Sequence, residues 1–330
     1  MKLLVTGGLG FIGSNFIIHV LRNYDDFQII NLDAEMDGSN HDNLLEIEKS
    51  ERYRFVKGNI TNRKLLDELI SQVDCVVNFA AESHVDRSIA DPNPFLISNF
   101  RGVFTILEAL RENKKKFIQI STDEVFGTIK EGSATELTRF NPSSPYAATK
   151  ASAELLINAY VVTYSIDAII TRCTNNYGPR QFFEKLIPKT ISLSMNKKSI
   201  PVYGKGESIR DWIFVEDHCK AIMLVIKNGI SGETYNISAI NEIDNLQVVN
   251  SILKIVEGSQ ELIKFVESRP GEDTRYSLDS TKIRKELGWK PEVTFEEGIK
   301  KTIEWYKSNK EWGVDTANEV FSETPWKNKD

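Results

Sequence analysis

Short apolar runs alternate with longer amphipathic stretches through the first half of the chain. The runs are mostly continuous rather than alternating, namely "KLLVTG", "FQIINLD", "YRFVKGNI", "DCVVNFAA", "KFIQIST" and "DAIITR". Such runs predict strands that are covered on both faces, as in a parallel sheet between two layers of helices. The intervening stretches predict helices over 11–23, 62–72, about 93–113 and 145–164. Repeated strand–helix units predict an α/β fold with a doubly wound parallel sheet and right-handed crossovers.

The pattern changes after about residue 175. Short strand-like runs ("IPVYG", "DWIFV", "ETYNI", "LIKFVE") mix with predicted helices over 183–197, 216–228, 243–257 and 294–309. We therefore expect a first domain over 1–174, a smaller α+β region over 175–315 with some segments returning to the first domain, and a tail over 316–330. The chain after 310 is polar apart from Trp312, Phe321 and Trp326, so we expect it to be loosely held.

Charge and composition narrow the possible partners. The chain of 330 residues has 41 Lys and Arg against 47 Asp and Glu, a net charge of −6, so nucleic acid is not an expected partner. The three cysteines and four histidines have no disulfide or metal-ligand spacing. The start, "MKLLVTGG", does not resemble a signal peptide, and no run reaches the roughly 20 apolar residues that span a bilayer. We expect a cytoplasmic protein without a metal.

The stretch "TGGLGFIG" follows the first predicted strand and opens a helix. Gly7 permits a tight turn, Gly10 lets backbone N–H groups approach a pyrophosphate, and Gly13 allows close packing of helix on strand. Asp33 ends the second strand, where an acid binds the adenosine ribose and disfavours a 2′-phosphate. A glycine triplet alone is a weak signal, but this context predicts a Rossmann fold that binds NAD rather than NADP.

Two further stretches carry candidate chemistry. "YAATK" places Tyr146 and Lys150 on one helical face, where the ammonium is expected to lower the pKa of the phenol. "STDEVFG" places Thr122, Asp123 and Glu124 at the carboxyl end of a strand. Taken alone, the first could be a surface pair and the second an ordinary solvated turn.

Together, these stretches resemble the extended short-chain dehydrogenase/reductases and, within them, the dTDP-glucose 4,6-dehydratases. The resemblance runs from residue 3 to about 305, through "VTGGLGFIGSNF", "NFAAESHVDRSI", "STDEVFG", "PYAATKASAE", "RCTNNYGPRQFFEKLIP", "IPVYGKGESIRDWIFVEDH", "RPGEDTRYSLD" and "ELGWKPEVTFEEGI". "STDEVFG" is the specific stretch. Related epimerases have a serine and no acid pair there, and nucleotide-sugar decarboxylases typically keep only the glutamate.

The resemblance implies a hydro-lyase with tightly bound NAD that converts dTDP-glucose to dTDP-4-keto-6-deoxyglucose, a deoxysugar precursor of the dTDP-rhamnose type. Tyr146, assisted by Lys150, would take the proton of the 4-hydroxyl, which Thr122 also binds. The ketone at carbon 4 makes the carbon-5 proton acidic. Glu124 would remove that proton and Asp123 would protonate the departing 6-hydroxyl, which requires one ionised and one protonated acid.

The resemblance also implies binding residues in both regions. The cofactor contacts are Gly7, Gly10, Phe11, Ile12, Gly13, Asp33, Asn59, Ile60, Ala80, Ala81, Glu82, Ser98, Tyr146, Lys150 and Asn176. The nucleotide-sugar contacts are Ser83, Thr122, Asn175, Lys185, Leu186, Pro201, Val202, Tyr203, Arg210, Asn245 and Arg269. Arg210 and Arg269 suit a diphosphate. Val202 and Leu186 are equally compatible with a place in the core.

Three positions depart from the family pattern. Asn59 stands where the family has aspartate, and its amide oxygen is expected to accept from adenine instead. The segment "AEMDGSN", from Ala34, replaces a lysine followed by "LTYAGN". Glu272 replaces a histidine, and because a carboxylate near a diphosphate is unfavourable, we expect it to point elsewhere or to meet Arg275.

The family implies a homodimer. The predicted helices over 93–113 and 145–164 carry more apolar residues than one face of a sheet requires, in "FLISNFRGVFTILEAL" and "LLINAYVVTY". In this family those helices pair with their copies as a four-helix bundle.

Other functions remain open from the sequence. The chain could be another NAD-dependent nucleotide-sugar enzyme, namely a UDP-glucose 4,6-dehydratase, an epimerase or a decarboxylase. The acid pair Asp123–Glu124 argues against the last two. A non-catalytic NAD-binding protein would be expected to lose Tyr146 or Lys150, and this chain keeps both.

Overall fold

Consecutive residues of the first strand point into two different hydrophobic cores. Leu3 and Val5 pack in one cluster and Leu4 in another, and all three are fully buried. A computed structural model describes residues 1–313 and 324–327. Its strands, numbered in chain order, are β1 Lys2–Thr6, β2 Gln28–Asp33, β3 Tyr53–Lys57, β4 Cys75–Asn78, β5 Lys116–Thr122, β6 Ala168–Cys173, β7 Asn175–Tyr177, β8 Ile200–Tyr203, β9 Ile209–Phe214, β10 Thr234–Ile237, β11 Glu242–Asp244 and β12 Ile263–Val266.

The main sheet has seven strands in the order β10-β6-β5-β4-β1-β2-β3, and all neighbours pair in parallel. This confirms the predicted doubly wound sheet. The strand order reverses between β1 and β4, and ligands of such sheets bind in the crevice at that point, outside the carboxyl ends of the strands.

Helices cover both faces of the main sheet. They are α1 Phe11–Asn23, α2 Arg63–Ile70, α3 Val85–Ala90, α4 Asn93–Phe95, α5 Val103–Asn113, α6 Pro145–Tyr164, α7 Leu186–Met195, α8 Val215–Asn228, α9 Asn245–Val256, α10 Thr281–Leu287 and α11 Phe295–Ser308. Helices α1 and α8 pack against one core, and α2, α5 and α6 pack against the other. The predicted helix over 93–113 consists of α4, a π-helical stretch Leu96–Gly102 and α5. Within the described residues, none of these helices has the length and apolar character to cross a bilayer.

The second half builds a smaller α+β region beside the sheet. Three strands join in the order β11-β9-β7, and β8 pairs in parallel with β12. Helices α7, α9 and α11 contribute to the cores of this region. By contrast, β10 joins the main sheet beside β6, and α8 packs against α1.

The expectation of a loosely held chain after residue 310 is wrong for two of its three aromatic residues. Trp312 is buried among Phe183, Trp305 and Tyr306, and its indole N–H donates to Asn43. Trp326, in the 3-10 turn Pro325–Lys327, is also buried. Large aromatic side chains supply enough apolar area to anchor a polar segment. Phe321 lies outside the described residues.

Candidate active site

Two glycines of the first turn are required by close backbone contact. Gly7 has φ +71°, and a Cβ there would lie 2.6 Å from the backbone nitrogen of Ala80. A Cβ on Gly13 would lie 2.3 Å from the carbonyl oxygen of Gly7. Gly10 differs, because its backbone is extended and the nearest atom to an added Cβ is 3.4 Å away. The protein itself therefore tolerates a side chain at Gly10, and the space beside it belongs to the cleft.

The first turn of α1 can accept an anion. Gly10 provides no side-chain cap and the turn contains no acidic residue, so the free N–H groups face the cleft with the positive end of the helix dipole. Asp33 is buried beside the same turn and accepts from the backbone of Leu9 and Glu35 and from the hydroxyl of Ser39. This glycine cradle and fixed carboxylate fit a dinucleotide such as NAD.

The residues predicted to bind the cofactor line one cleft at the crevice of the sheet. They are Gly7, Gly10, Phe11, Ile12, Gly13, Asp33, Asn59, Ile60, Ala80, Ala81, Glu82, Ser98, Tyr146, Lys150 and Asn176. The segment "AEMDGSN", which departs from the family pattern, also lines this cleft through Ala34, Met36, Asp37, Gly38 and Ser39. The tertiary structure thus brings the whole predicted set together.

Thr122, Asp123 and Glu124 leave β5 in a 3-10 turn at the inner end of this cleft. The hydroxyl of Thr122 donates to Asp123 Oδ1 at 3.1 Å and accepts from the backbone N–H of Glu124 at 3.2 Å. Asp123 Oδ2 is buried without a hydrogen-bond partner in the described structure. An ionised carboxylate is unfavourable there, whereas a protonated one leaves a hydroxyl free to donate.

The two acids have different electrostatic surroundings. Burial, followed by the charge of Glu124, raises the pKa of Asp123 well above its ordinary value. Burial also raises the pKa of Glu124, but the charges of Arg269, Arg210 and Lys185 oppose that rise. These surroundings favour a protonated Asp123 beside an ionised Glu124, the combination that a general acid and a general base need.

The expectation that Lys150 lowers the pKa of Tyr146 is wrong for this structure. Burial, followed by the charge of Glu124, raises the pKa of Tyr146 well above its ordinary value. Burial lowers the pKa of Lys150 to about 8, and its ammonium donates to the carbonyl of Ile120 at 2.6 Å. In this structure desolvation dominates the pKa of the phenol, and a backbone carbonyl holds the ammonium of Lys150.

A buried ion pair, which no sequence motif indicated, joins the two segments that carry the candidate catalytic residues. Glu154 of α6 lies 2.7 Å from Arg172 of β6, and it also accepts from Ser121, the residue before Thr122. The Arg172 guanidinium lies over the ring of Phe126, 4.9 Å from its centroid. The pair therefore fixes α6, which carries Tyr146 and Lys150, relative to the turn after β5.

A second cavity adjoins the first. It contains the predicted substrate residues Asn175, Lys185, Leu186, Pro201, Val202, Tyr203, Arg210, Asn245 and Arg269, while Ser83 and Thr122 line the first cleft. Glu124 lines both cavities, as do Asn175, Asn176 and Lys185. The candidate base therefore lies where a ligand in one cavity meets a ligand in the other.

The two predicted diphosphate arginines are held in this second cavity by neighbours that the sequence did not identify. Arg269 donates to the buried Asp86 at 2.9 Å, and its Nε has no partner in the described structure. Arg210 donates to a backbone carbonyl of Asp273 and stacks over Tyr276 at 4.3 Å. These three partners lie within the quoted stretches "SHVDRSI" and "RPGEDTRYSLD", but only proximity in space reveals their role.

Some predicted contacts differ in detail. The Asn59 oxygen already accepts twice from Thr61, contrary to the expectation that it is available to a ligand, and the NH₂ of the same side chain has no such bond to Thr61. The Asn176 side chain bonds Thr174 and His218. Val202 is fully buried in a core cluster, which Leu186 also contacts, so both residues pack in the core at the edge of the cavity.

The expectation for Glu272 is wrong. Its carboxylate lines the second cavity and accepts from Ser208 at 3.0 Å. Arg275 instead forms a two-pronged pair with Glu242, at 2.6 and 2.7 Å. An acidic side chain therefore lies in the second cavity, where Ser208 satisfies one of its oxygens.

The sheet, the glycine cradle and the adjoining cavity define a Rossmann enzyme that binds a dinucleotide beside a second ligand. The family model described as GDP-mannose 4,6 dehydratase matches residues 4–302, and the chain belongs to this family. Its fold is of the short-chain dehydrogenase/reductase type.

Known relatives cover nearly the whole chain. The dTDP-glucose 4,6-dehydratase of Escherichia coli is 44% identical over 94% of this chain and 95% of its own. The low-salt glycan biosynthesis protein Agl12 of Haloferax volcanii is 47% identical over 94% and 100%. The dTDP-glucose 4,6-dehydratase DesIV of Streptomyces venezuelae, crystallised with NAD and TYD bound, superposes with a TM-score of 0.93 at 42% identity over 94% and 98%.

Proposed function

We propose that this chain is an NAD-dependent dTDP-glucose 4,6-dehydratase, a hydro-lyase that supplies a deoxysugar precursor. The observation that carries the proposal is the acid pair Asp123–Glu124, in which Asp123 lines the first cleft and Glu124 lines both cavities. An epimerase needs no acid to expel a hydroxyl. A dehydratase needs a base that removes a proton from one carbon and an acid that protonates the hydroxyl leaving the neighbouring carbon. The relatives of E. coli and S. venezuelae carry this activity in their names.

The residues of the chain divide the reaction among them. The cleft residues described above would hold NAD, which would supply the hydride chemistry between carbon 4 and carbon 6 of the sugar. Tyr146 takes the proton of the 4-hydroxyl, and Thr122 orients that hydroxyl. Glu124 removes the carbon-5 proton, which the neighbouring ketone has made acidic. Asp123 donates its proton to the 6-hydroxyl, which leaves as water, and carbon 5 takes up a proton again as carbon 6 is reduced.

The raised pKa of free Tyr146 bears on the order of events. The phenol is neutral in the structure described, because burial and the charge of Glu124 both disfavour the phenolate. An oxidised nicotinamide is a cation, so its arrival in the cleft favours the phenolate. A cofactor in the cleft would therefore favour the deprotonation of Tyr146 that the first step requires.

The two regions of the chain share the work in this proposal. Residues 1–174 bind NAD and carry the catalytic groups, and residues 175–315 mainly bind the nucleotide sugar. Segments such as β10 belong structurally to the first domain. Nucleotide sugars and NAD are both cytoplasmic metabolites, so we place the reaction in the cytoplasm.

We further propose that two copies associate through α4–α6 and the π-helical stretch. These adjacent elements expose apolar side chains that neither core covers, including Phe104 at 43%, Leu155 at 59% and Val162 at 84%. An apolar face of this kind is characteristic of a protein–protein contact. A second copy would present the same face and cover it by twofold symmetry.

Substrate conversion tests the proposed activity. Purified protein is incubated separately with dTDP-glucose, UDP-glucose and GDP-mannose, and the product is identified by mass spectrometry and NMR. We expect the 4-keto-6-deoxy sugar from dTDP-glucose, in preference to the other two. Conversion of UDP-glucose alone would favour a UDP-glucose 4,6-dehydratase, and formation of a 4-epimer without loss of water would contradict dehydration.

A further inference from the structure

A chain of contacts runs from the C-terminal turn to the substrate cavity. The Trp326 ring packs edge-on against the Tyr203 ring, with centroids 5.0 Å apart. The hydroxyl of Tyr203 donates to Asp86 Oδ2 at 2.8 Å. Asp86 Oδ1 accepts from Arg269 at 2.9 Å. Each of the last three residues lines the second cavity, whereas Trp326 lies behind it.

The side chains in this series of contacts are buried, so a shift of one of them affects the hydrogen bonds of the next. Asp86 is 2% exposed and Trp326 is 7% exposed. Asp86 uses one oxygen for each partner, so a shift of Tyr203 disturbs the bond that fixes Arg269. The Arg269 Nε has no partner among the described residues, which leaves a buried donor for a ligand in the cavity. Buried donors of this kind are normally satisfied.

The C-terminal turn is well placed to hold Tyr203. It packs against α3, the helix that carries Asp86, and Lys327 pairs with Glu267, which lies two residues before Arg269. The turn thus lies beside both segments that supply the Arg269–Asp86 pair. Of these contacts, only that of Trp326 is buried, because Lys327 and Glu267 are both more than half exposed.

We propose that Trp326 is a positioning residue of the substrate cavity, which holds Tyr203, and through it Asp86 and Arg269, in the geometry that binds the nucleotide diphosphate. The inference rests on the proposed function, since it assumes that the second cavity takes the nucleotide diphosphate. Trp326 touches neither the catalytic groups nor the cofactor cleft. Its loss should therefore weaken substrate binding and leave the chemical steps unchanged.

Binding of dTDP to the NAD-loaded protein provides the test, together with KM and kcat for dTDP-glucose. Trp326→Ala should raise both the Kd for dTDP and the KM about tenfold, which corresponds to 1.4 kcal/mol, and change kcat less than about twofold. Trp326→Phe keeps an aromatic ring on Tyr203 and should recover most of the affinity. Lys327→Ala, the matched control, removes only the exposed ion pair and should bind dTDP like the wild type.

A double-mutant cycle separates positioning from general loosening. Asp86→Asn weakens the hold on Arg269 directly, so adding Trp326→Ala to it should cost less than Trp326→Ala does alone. An unchanged Kd in Trp326→Ala, a loss confined to kcat, or an equal loss in Lys327→Ala would overturn the proposal. A wild-type protein that binds no dTDP would instead refute the proposed function.

A second measurement keeps the proposal testable if Trp326→Ala melts early or loses NAD. If dTDP binding and the docking of the turn are coupled, each must stabilise the other. Saturating dTDP should therefore slow the removal of the C-terminal residues of the wild-type, NAD-loaded protein by carboxypeptidase, at least several-fold. Digestion at the same rate with and without dTDP would overturn the proposal.

Discussion

Asp123 and Glu124 are neighbours in one buried turn, and the pKa of Asp123 is raised first by burial and then by the charge of Glu124. The base therefore helps its neighbour to keep the proton that the reaction requires. Neither residue would behave in this way on a solvated surface, where water screens such charges. The adjacency seen in the sequence acquires its chemical meaning from the burial seen in the structure.

This relationship predicts a bell-shaped dependence of the dehydration rate on pH. Glu124 must be ionised to act as the base, so the rate should rise as pH increases through its raised pKa. Asp123 must be protonated to act as the acid, so the rate should fall as pH increases through its more strongly raised pKa. The profile of kcat for the wild type checks this, and a rate independent of pH from acid to neutral would contradict it.

Substitution of each acid should stop the reaction at a different point. Asp123→Asn cannot donate the proton, so loss of water should slow by roughly 10²–10⁴-fold, while the reduced nicotinamide accumulates and can be followed by its absorbance. Glu124→Gln should also oxidise carbon 4, but it should not exchange the carbon-5 proton with deuterated water. Tyr146→Phe is the control that should give no reduced nicotinamide. Dehydration by Asp123→Asn at the wild-type rate would refute the assigned roles.

Substitution of two glycines in the glycine turn should impair two different properties, namely cofactor binding and the stability of the fold. Gly10→Ala fits the backbone, and its nearest contact would be 3.4 Å, so the protein should fold but lose bound NAD. Gly13→Ala would place a methyl group 2.3 Å from the Gly7 carbonyl and should destabilise the fold itself. NAD released on denaturation measures the first effect, and thermal melting of cofactor-stripped protein measures the second. Denaturation of the wild type should release bound NAD. If denatured Gly10→Ala released the same amount, the prediction that the pyrophosphate binds beside Gly10 would be wrong.

The buried pair of Glu154 and Arg172 predicts a large effect on stability. Glu154→Ala leaves a buried guanidinium without its partner, so the free energy of unfolding should fall by about 3–5 kcal/mol. Denaturant unfolding gives this value. The matched control is Glu296→Ala, which removes an exposed pair with Lys300 and should change stability little. Equal effects in the two variants would mean that the buried pair does not hold the catalytic segments together.

The exposed apolar face predicts the oligomeric state. Wild-type protein at micromolar concentration should scatter light as a dimer, and Phe104→Glu should convert it to a monomer by placing a charge in the contact. Ile230→Glu, at a residue that is 56% exposed outside this face, is the control and should remain dimeric. A monomeric wild type would contradict the proposed dimer.

Sequence alone determined the features that depend on residues close together along the chain. The continuous apolar runs predicted buried parallel strands, because a strand covered on both faces needs apolar residues at successive positions. The glycine turn with Asp33 and the adjacent acids Asp123 and Glu124 could be identified because their residues also lie close together along the chain. The resemblance to a family then supplied distant members of the site, such as Arg210 and Arg269.

Only the tertiary structure decided how those groups are held and charged. Tyr203 and Arg269 meet Asp86 across 117 and 183 residues of chain, and no local pattern encodes such a meeting. The raised pKa of Tyr146, the place of Glu272 in the cavity and the burial of Trp326 likewise depend on what packs around each side chain. Burial and electrostatic surroundings are sums over neighbours in space, and the order of residues along the chain fixes them only once the chain has folded.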